Sequence, residues 1–479
     1  MSERESRDWP LVGWGAVAIA LTVAAGALVY YADRFSWNLP LAEIPAVPLA
    51  IASLTIGIVF ASLAWIIPWS ISTRSGERAR LLYFILAFGL FLRLAMLVST
   101  PALEDDFYRY LWDGGVVSAG YNPYTRSPNA VFDVNAPEPL QQLAAESGAV
   151  IERVNHPHLK TIYPPVAQFW FAVAHQFQPW SLMGWRLLGV IAEVATVALI
   201  LLLLQACGRS PLWSALYWWN PLVIKELINS AHMEFLLLPL VLLAIHLAVQ
   251  HRYVLGSVTL AFAVGTKLWP VMLAPLMLRP LIQKPVQLLT ALMLFGGLSL
   301  AWIVWPLLGG IDETSGFVAF AKHWQTNSAL FQNTNGFAVW FFSGFGLDKE
   351  TTGSIVRLFF AAIVGLVAVA LSRPSYLDQH DVIQRFAVVI VAMFLLSPAQ
   401  FPWYGTWVII LLPFFPLYGL LIMTVTLPLY YLSFHFSALG NYELFNARVL
   451  WWIWIPIWIG LAIDAWNIWR QPLIWQADA

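Results

Sequence analysis

Three carboxylates, Glu104, Asp105 and Asp106, stand side by side in EDDFYRYLWDGGVVSAGYNPY, residues 104–124, just after the apolar run LLYFILAFGLFLRLAMLVST. Carboxylates this close repel one another, so one gains proton affinity unless a cation is near. That is the condition for a general base working near neutral pH. On a helix, Arg109 falls one turn from Asp105 or Asp106, and Asp113 one or two turns further. Base, cation and second acid then share a face. The competing assignment for the same acids is a solvated helix cap, where backbone N–H groups lack partners.

More polar residues interrupt apolar surroundings further along. NPLVIKELINSAHME, residues 220–234, contains Lys225, Glu226, Asn229 and His232, and GTKLWP adds Lys267. Each lysine alone is as well explained by snorkelling to the membrane interface. Together they place acids and bases from separate apolar segments on the same face as the loop acids. Arg93 and Glu193, inside otherwise apolar runs, read either as a structural ion pair or as a contact to lipid phosphate. Tyr108, Tyr110, Trp112, Tyr121 and Tyr124 suit an interfacial belt or stacking on sugar rings. Tyr163-Pro164-Pro165 presets a rigid entry into the next segment. His156 and His158, two apart, do not share a helical face and are not read as a metal pair.

The elements that must position these groups follow from composition. Of 479 residues, 60% are hydrophobic and 11% charged, with a mean hydropathy of +0.71. This is an integral membrane protein. Its apolar stretches are continuous rather than alternating, which predicts helices instead of a barrel. A net charge of −1 excludes a nucleic-acid partner or a polybasic lipid-binding tail chosen by bulk charge. The single cysteine, Cys207, excludes an intramolecular disulfide and a thiolate metal cluster.

Helices are expected near 11–31, 47–71, 81–99, 183–204, 212–228, 233–250, 253–267, 286–308, 354–372, 384–398, 416–436 and 448–467. LWPVMLAPLML and WYGTWVIILL read as broken or half-crossing helices. The total is an all-α multi-span bundle of about 12–14 transmembrane helices. The first apolar run is longer than a signal-peptide core and reads as a retained helix. Arg4, Arg7, Arg74, Arg78, Arg80, Arg209, Arg252, Arg279, Lys284, Arg373, Arg385 and Arg470 fall on one side if the spans alternate, which makes that side cytoplasmic. The polar segments 100–182 and 310–353 then lie on the extracytoplasmic face. TIYPPVAQFWFAVAHQFQPWSL, ending near His175, is expected to lie along the outer interface, because a span there would reverse every later loop.

EDDFYRYLWDGGVVSAGYNPY, followed by NHPHLKTIYPPVAQ, WNPLVIKELINSAHME, GTKLWPVMLAP and SPAQFPWYGTW, resembles the GT-C superfamily of polytopic glycosyltransferases. More narrowly it is similar to bacterial mannosyltransferases that take a sugar from a polyprenyl phosphate. The likeness covers residues 81–415, a membrane core with its external loop module 100–182. Helices before residue 80 and after 416 flank it.

The resemblance implies an inverting hexosyltransferase of the plasma membrane. It would move a hexose, mannose by the narrower likeness, from a polyprenyl-phosphate donor to a glycan or lipid-linked acceptor on the external face. It also implies that an acid in the first external loop, Asp105 or Asp106 by position with Glu104 beside them, deprotonates the acceptor. Arg109, Lys225, His232 and Lys267 are the candidates to receive the phosphate. Asp113, Tyr163 and Glu226 are assigned to substrate binding. The family often shows Asp-x-Asp or Asp-Glu where this chain has Glu-Asp-Asp, so the choice of base stays open. Metal also stays open: adjacent acids can hold Mg²⁺ or Mn²⁺, but a lipid monophosphate lacks the diphosphate that makes metal bridging useful. Two other functions share these features: a lipid-linked sugar flippase or transporter, and a glycan polymerase or ligase.

Overall fold

The computed structural model describes residues 3–373 and 378–470, with side chains from Pro10 onward. The side chains of Arg4 and Arg7, and part of the basic loop 372–385, lie outside that description. Among the described residues the chain is helical, with no strand beyond an isolated bridge between Thr326 and Ala399. Nine helices there are long and apolar enough to cross a membrane, and Glu234–Val249 and Tyr253–Thr266 are shorter apolar helices. The chain is an all-α polytopic membrane protein. It divides into two compact units.

One unit comprises Met1–Glu104, Glu193–Ser230 and Phe401–Ala479. Its spans are Pro10–Tyr30, Ala46–Ile71, Ser75–Met96, Tyr418–Ala438 and Tyr442–Arg470. The last two approach closely through glycines: a Cβ on Gly460 would sit 2.8 Å from the Cα of Gly419. At the same crossing Asp464 accepts the N–H groups of Tyr418 and Gly419 at 3.0 and 2.9 Å. A carboxylate from one helix thus satisfies donors that the start of the other leaves open.

The expected continuous helix over 212–228 is not formed. The segment divides into a 3₁₀ turn Pro211–Ser214, helical turns Ala215–Trp218 and Pro221–Ile224, and a π-turn Lys225–Asn229. Pro221 offers no N–H and drives Asn220 into an extended conformation. The Asn220 side chain then accepts the N–H groups of Leu222 and Val223 and starts a new helix.

The other unit comprises Asp105–Ala192 and Ala231–Gln400. Pro285–Leu308, Lys349–Leu371 and Gln379–Leu396 are its complete long spans. Lys349–Leu371 starts earlier than the expected residue 354 because Asp348 caps it, accepting from Glu350 and Thr351. Segment 100–182 supplies two helices that matter for the site, Asp106–Ser118 and Pro165–Phe177. They pack against each other without room for side chains. A Cβ on Gly114 would lie 2.4 Å from the Phe171 carbonyl oxygen, and one on Gly115 would lie 2.2 Å from Trp180. With 13 residues, Pro165–Phe177 is too short to cross a bilayer.

Candidate active site

Asp105 is the N-cap of the Asp106–Ser118 helix, so both aspartates sit where four backbone donors point and the helix dipole favours negative charge. One residue ties the two carboxylates together. Asn155 donates its Nδ2 to Asp105 Oδ1 at 3.1 Å and to Asp106 Oδ1 at 2.6 Å. Asp105 is buried, whereas the Asp106 side chain keeps 24% of its surface exposed. Burial, reinforced by the charge of Asp106, pushes the Asp105 carboxyl up to about 7. Burial also raises Asp106, against the pull of Asn155, Lys267, Tyr110 and Arg109. The pair can therefore gain and lose a proton near neutral pH.

Two basic side chains face Asp106. His232 Nδ1 lies 3.7 Å from Asp106 Oδ2. Its position is set by the preceding residue, since Ala231 is fully buried at φ +60°, a conformation costing a non-glycine residue about 1–2 kcal/mol. The Trp185 indole holds this turn by donating to the Ala231 carbonyl at 2.7 Å. Lys267 forms an ion pair with Glu234, itself almost fully buried, and attracts Asp106 electrostatically.

Arg109 and Asp113 do share the helical face, as their spacing predicts, and they make a frame. Arg109 Nε donates to Asp113 at 3.1 Å and Nη2 to the Leu159 carbonyl at 2.8 Å. Gln168 donates to the other Asp113 oxygen at 3.0 Å and to Thr161 at 2.9 Å. Tyr163 belongs to the same frame: its carbonyl accepts from Tyr124, and its ring meets Tyr110 edge-on at 5.1 Å. The loop carrying Asn155 is thereby pinned to the helix carrying the aspartates.

Glu104, Lys225 and Glu226 form a second cluster, within the first unit. Lys225 Nζ is 3.2 Å from Glu226 and 4.0 Å from Glu104. Tyr431 closes the group: its hydroxyl donates to Glu104 at 2.7 Å, lies 3.0 Å from Glu226 and accepts from Lys225. Asn229 fixes the approach to Glu104 by accepting from the Ala102 amide and donating to Ser99 and to the Thr100 carbonyl. Arg93 and Glu193 are a fully buried ion pair at 2.7 Å, with Arg93 also bound to the Trp218 carbonyl.

Asn155, Glu234 and Tyr431 are the residues that the sequence reading did not single out. The first two stand inside the quoted runs NHPHLK and INSAHME, where a neutral amide beside paired acids and a second acid beyond His232 were the available signals.

Taken together, these features define a polytopic helical membrane protein carrying an aspartate pair, joined through Asn155, at the start of a short helix, with the basic side chains of His232 and Lys267 facing it. Comparison with known proteins agrees with that class. The family model described as "Alpha-(1->6)-mannopyranosyltransferase, N-terminal domain" matches residues 11–283, and the chain belongs to this MptA_B family. The resemblance to GT-C mannosyltransferases therefore holds.

Two relatives carry the name Alpha-(1->6)-mannopyranosyltransferase A. The chain is 25% identical to the one from Corynebacterium glutamicum over 182 residues, 36% of this chain and 34% of that protein. It is 24% identical to the one from Mycobacterium tuberculosis over 346 residues, 65% of this chain and 61% of that protein. The matches thus span about a third and about three-fifths of these relatives' lengths. No solved structure matches the chain.

Proposed function

We propose that this protein transfers a hexose, mannose, from a polyprenyl-phosphate donor to a hydroxyl of a glycan or lipid-linked acceptor, at the extracytoplasmic face of the membrane. The observation that carries the reading is Asp106, about a quarter exposed, coupled to a buried Asp105 through Asn155 and faced by His232 and Lys267. The names of the relatives support mannose, and the distribution of basic residues over short loops supports the external face.

Asp106 accepts the acceptor hydroxyl proton. The acceptor oxygen then bonds to the anomeric carbon as the bond from that carbon to the phosphate oxygen breaks, and the phosphate leaves with the electron pair. A single displacement of this kind inverts the anomeric centre. Lys267 and His232 are placed to meet the charge on the departing phosphate. Glu234 holds the Lys267 ammonium in position, and Asp105 shares the Asn155 amide with its neighbour.

The test is to supply membranes containing the protein with a radiolabelled polyprenyl-phosphate mannose. Label appearing in a new mannosylated product supports the reading. Movement of intact donor across the bilayer with no product overturns it in favour of a flippase.

A further inference from the structure

Two short runs singled out in the sequence have no part yet in the transfer: NHPH, residues 155–158, and SPAQ, residues 397–400. Both lie in the unit that carries the aspartates, and segment 312–328 connects them. At one end His156 has φ +44°, a left-handed backbone that residues other than glycine adopt rarely and that the following Pro157 disfavours further. Contacts from outside the turn hold it there. The His156 ring meets Trp324 edge-on, with centroids 4.8 Å apart. Four residues on, the Lys160 amide donates to the Thr314 carbonyl at 2.7 Å, and the Lys160 ammonium pairs with Asp312 at 2.6 Å. At the other end Thr326 bridges to Ala399: its amide donates to the Pro398 carbonyl at 3.1 Å, and its carbonyl accepts from the Gln400 amide at 3.0 Å. Gln400 is buried, and its side chain donates to the Phe394 and Leu395 carbonyls at the end of the span Gln379–Leu396. Trp324 therefore stands two residues from an anchored point.

We infer that Trp324 is a positioning residue for the aspartate pair: through the His156 ring it sets the adjoining Asn155 where one amide reaches both carboxylates. The consequence for transfer rests on the proposed reaction; the consequence for the carboxylates does not. The Asn155 nitrogen reaches Asp105 at 3.1 Å and Asp106 at 2.6 Å, so a small turn of its backbone breaks one bond or both. An amide donor favours the ionised carboxylate, and its loss raises proton affinity. His232, Lys267, Arg109, Tyr110 and Glu234 also act on the pair, and none is altered in the variants at 156 and 324. His156 itself faces His158 and Arg109. Burial and these neighbours hold it below the ordinary imidazole range, so its ring is neutral at pH 7.

The experiment measures kcat/KM against pH for the purified full chain, with radiolabelled polyprenyl-phosphate mannose as donor and octyl α-mannoside as acceptor. The same proteins are titrated by the infrared band of protonated carboxyl groups, assigned to the pair by its change in Asp105→Asn and Asp106→Asn. Asn155→Ala should move the acid limb up by about 1–2 pH units, the loss of a hydrogen bond to a charged group. Trp324→Ala should move it up by roughly half a unit or more, opposite in sign to the removal of the Asp105 charge. Trp324→Phe, which keeps a ring, should leave the limb in place. His156→Gly removes the ring and keeps the turn, since glycine adopts positive φ freely, and should match Trp324→Ala. The two together should shift the limb no further than either alone, because both break one contact.

An acid limb that stays in place or moves down in Trp324→Ala or in His156→Gly overturns the inference, and so do additive shifts in the double variant. Should Trp324→Ala not fold, His156→Gly decides the outcome. With no transfer at any pH, the proposed reaction fails by itself. An infrared midpoint that rises in these variants then still supports the positioning role, and an unmoved midpoint overturns it.

Discussion

Replacing the two aspartates one at a time should give different results, because their environments differ. Asp106 is the more exposed carboxylate and the proposed base, so Asp106→Asn should lower turnover by about 10²- to 10⁴-fold. Asp105→Asn leaves the base and removes a neighbouring charge. Both Oδ1 atoms bind the same Asn155 nitrogen, so they lie no more than about 6 Å apart, where two charges interact by about 0.7 to 3 kcal/mol between bulk water and an effective dielectric of 20.

That interaction corresponds to a shift of roughly 0.5 to 2 pH units. In the unaltered protein, activity should fall with falling pH as Asp106, whose carboxyl burial lifts above the ordinary carboxylate range, takes up a proton. In Asp105→Asn the acid limb should move down by that 0.5 to 2 units, with turnover at pH 8 retained within about tenfold. A stability readout runs in parallel. The folded-state carboxyl of Asp105 is raised above its unfolded value, so its contribution favours folding at low pH and is lost as pH rises through about 7. Asp105→Asn should therefore raise Tm at pH 8 and leave it unchanged at pH 4. The assay is kcat/KM from pH 5 to 9 with radiolabelled donor, beside melting curves for each variant. Near-normal turnover of Asp106→Asn, or an unmoved acid limb in Asp105→Asn, would refute the assignment.

Lys267→Met strands Glu234, which is almost fully buried, and should cost about 3–5 kcal/mol of stability. Adding Glu234→Gln should restore most of the melting temperature while donor kcat/KM stays down by about 10²-fold or more, a split that a merely structural lysine would not produce. Arg93→Met should cost a similar 3–5 kcal/mol by leaving Glu193 buried without its guanidinium, and Arg93→Met with Glu193→Leu should recover much of the loss in chemical denaturation. A cysteine at Asn129 should react with an impermeant thiol reagent added to intact cells and one at Ser75 should not; both positions are exposed, so the reverse pattern would invert the topology.

Much of the architecture was legible because bilayer-spanning helices are written as continuous apolar runs, and Ser75–Met96, Leu182–Ala206 and Pro285–Leu308 lie within a few residues of their expected places apart from an early start at Ser75. Segment 212–228 misled because it is as apolar as a span, and the effect of one proline and one capping asparagine is invisible to hydropathy. In the site, helical spacing correctly placed Arg109 and Asp113 on one face. Spacing cannot tell what meets that face from elsewhere in the chain. Leu159 and Gln168 arrive from 50 and 55 residues away, and Tyr431 reaches Glu104 across 327 residues. Such partners follow only from tertiary packing.

The glycine contacts that lock Asp106–Ser118 against Pro165–Phe177 and Trp180 have an evolutionary consequence. The aspartates are held by the helix pair and by Asn155, Leu159 and Tyr163, none of which lies between residues 125 and 152. Within the intervening segment Leu140, Leu143, Val150 and Ile151 are buried, but the stretch 132–135 is exposed and can lengthen or change its side chains at little cost, since each doubling of a flexible loop costs only about 0.6 kcal/mol. Descendants of one ancestral chain can thus diverge in this exposed stretch while the supports of the aspartate pair pass unaltered from one lineage to the next.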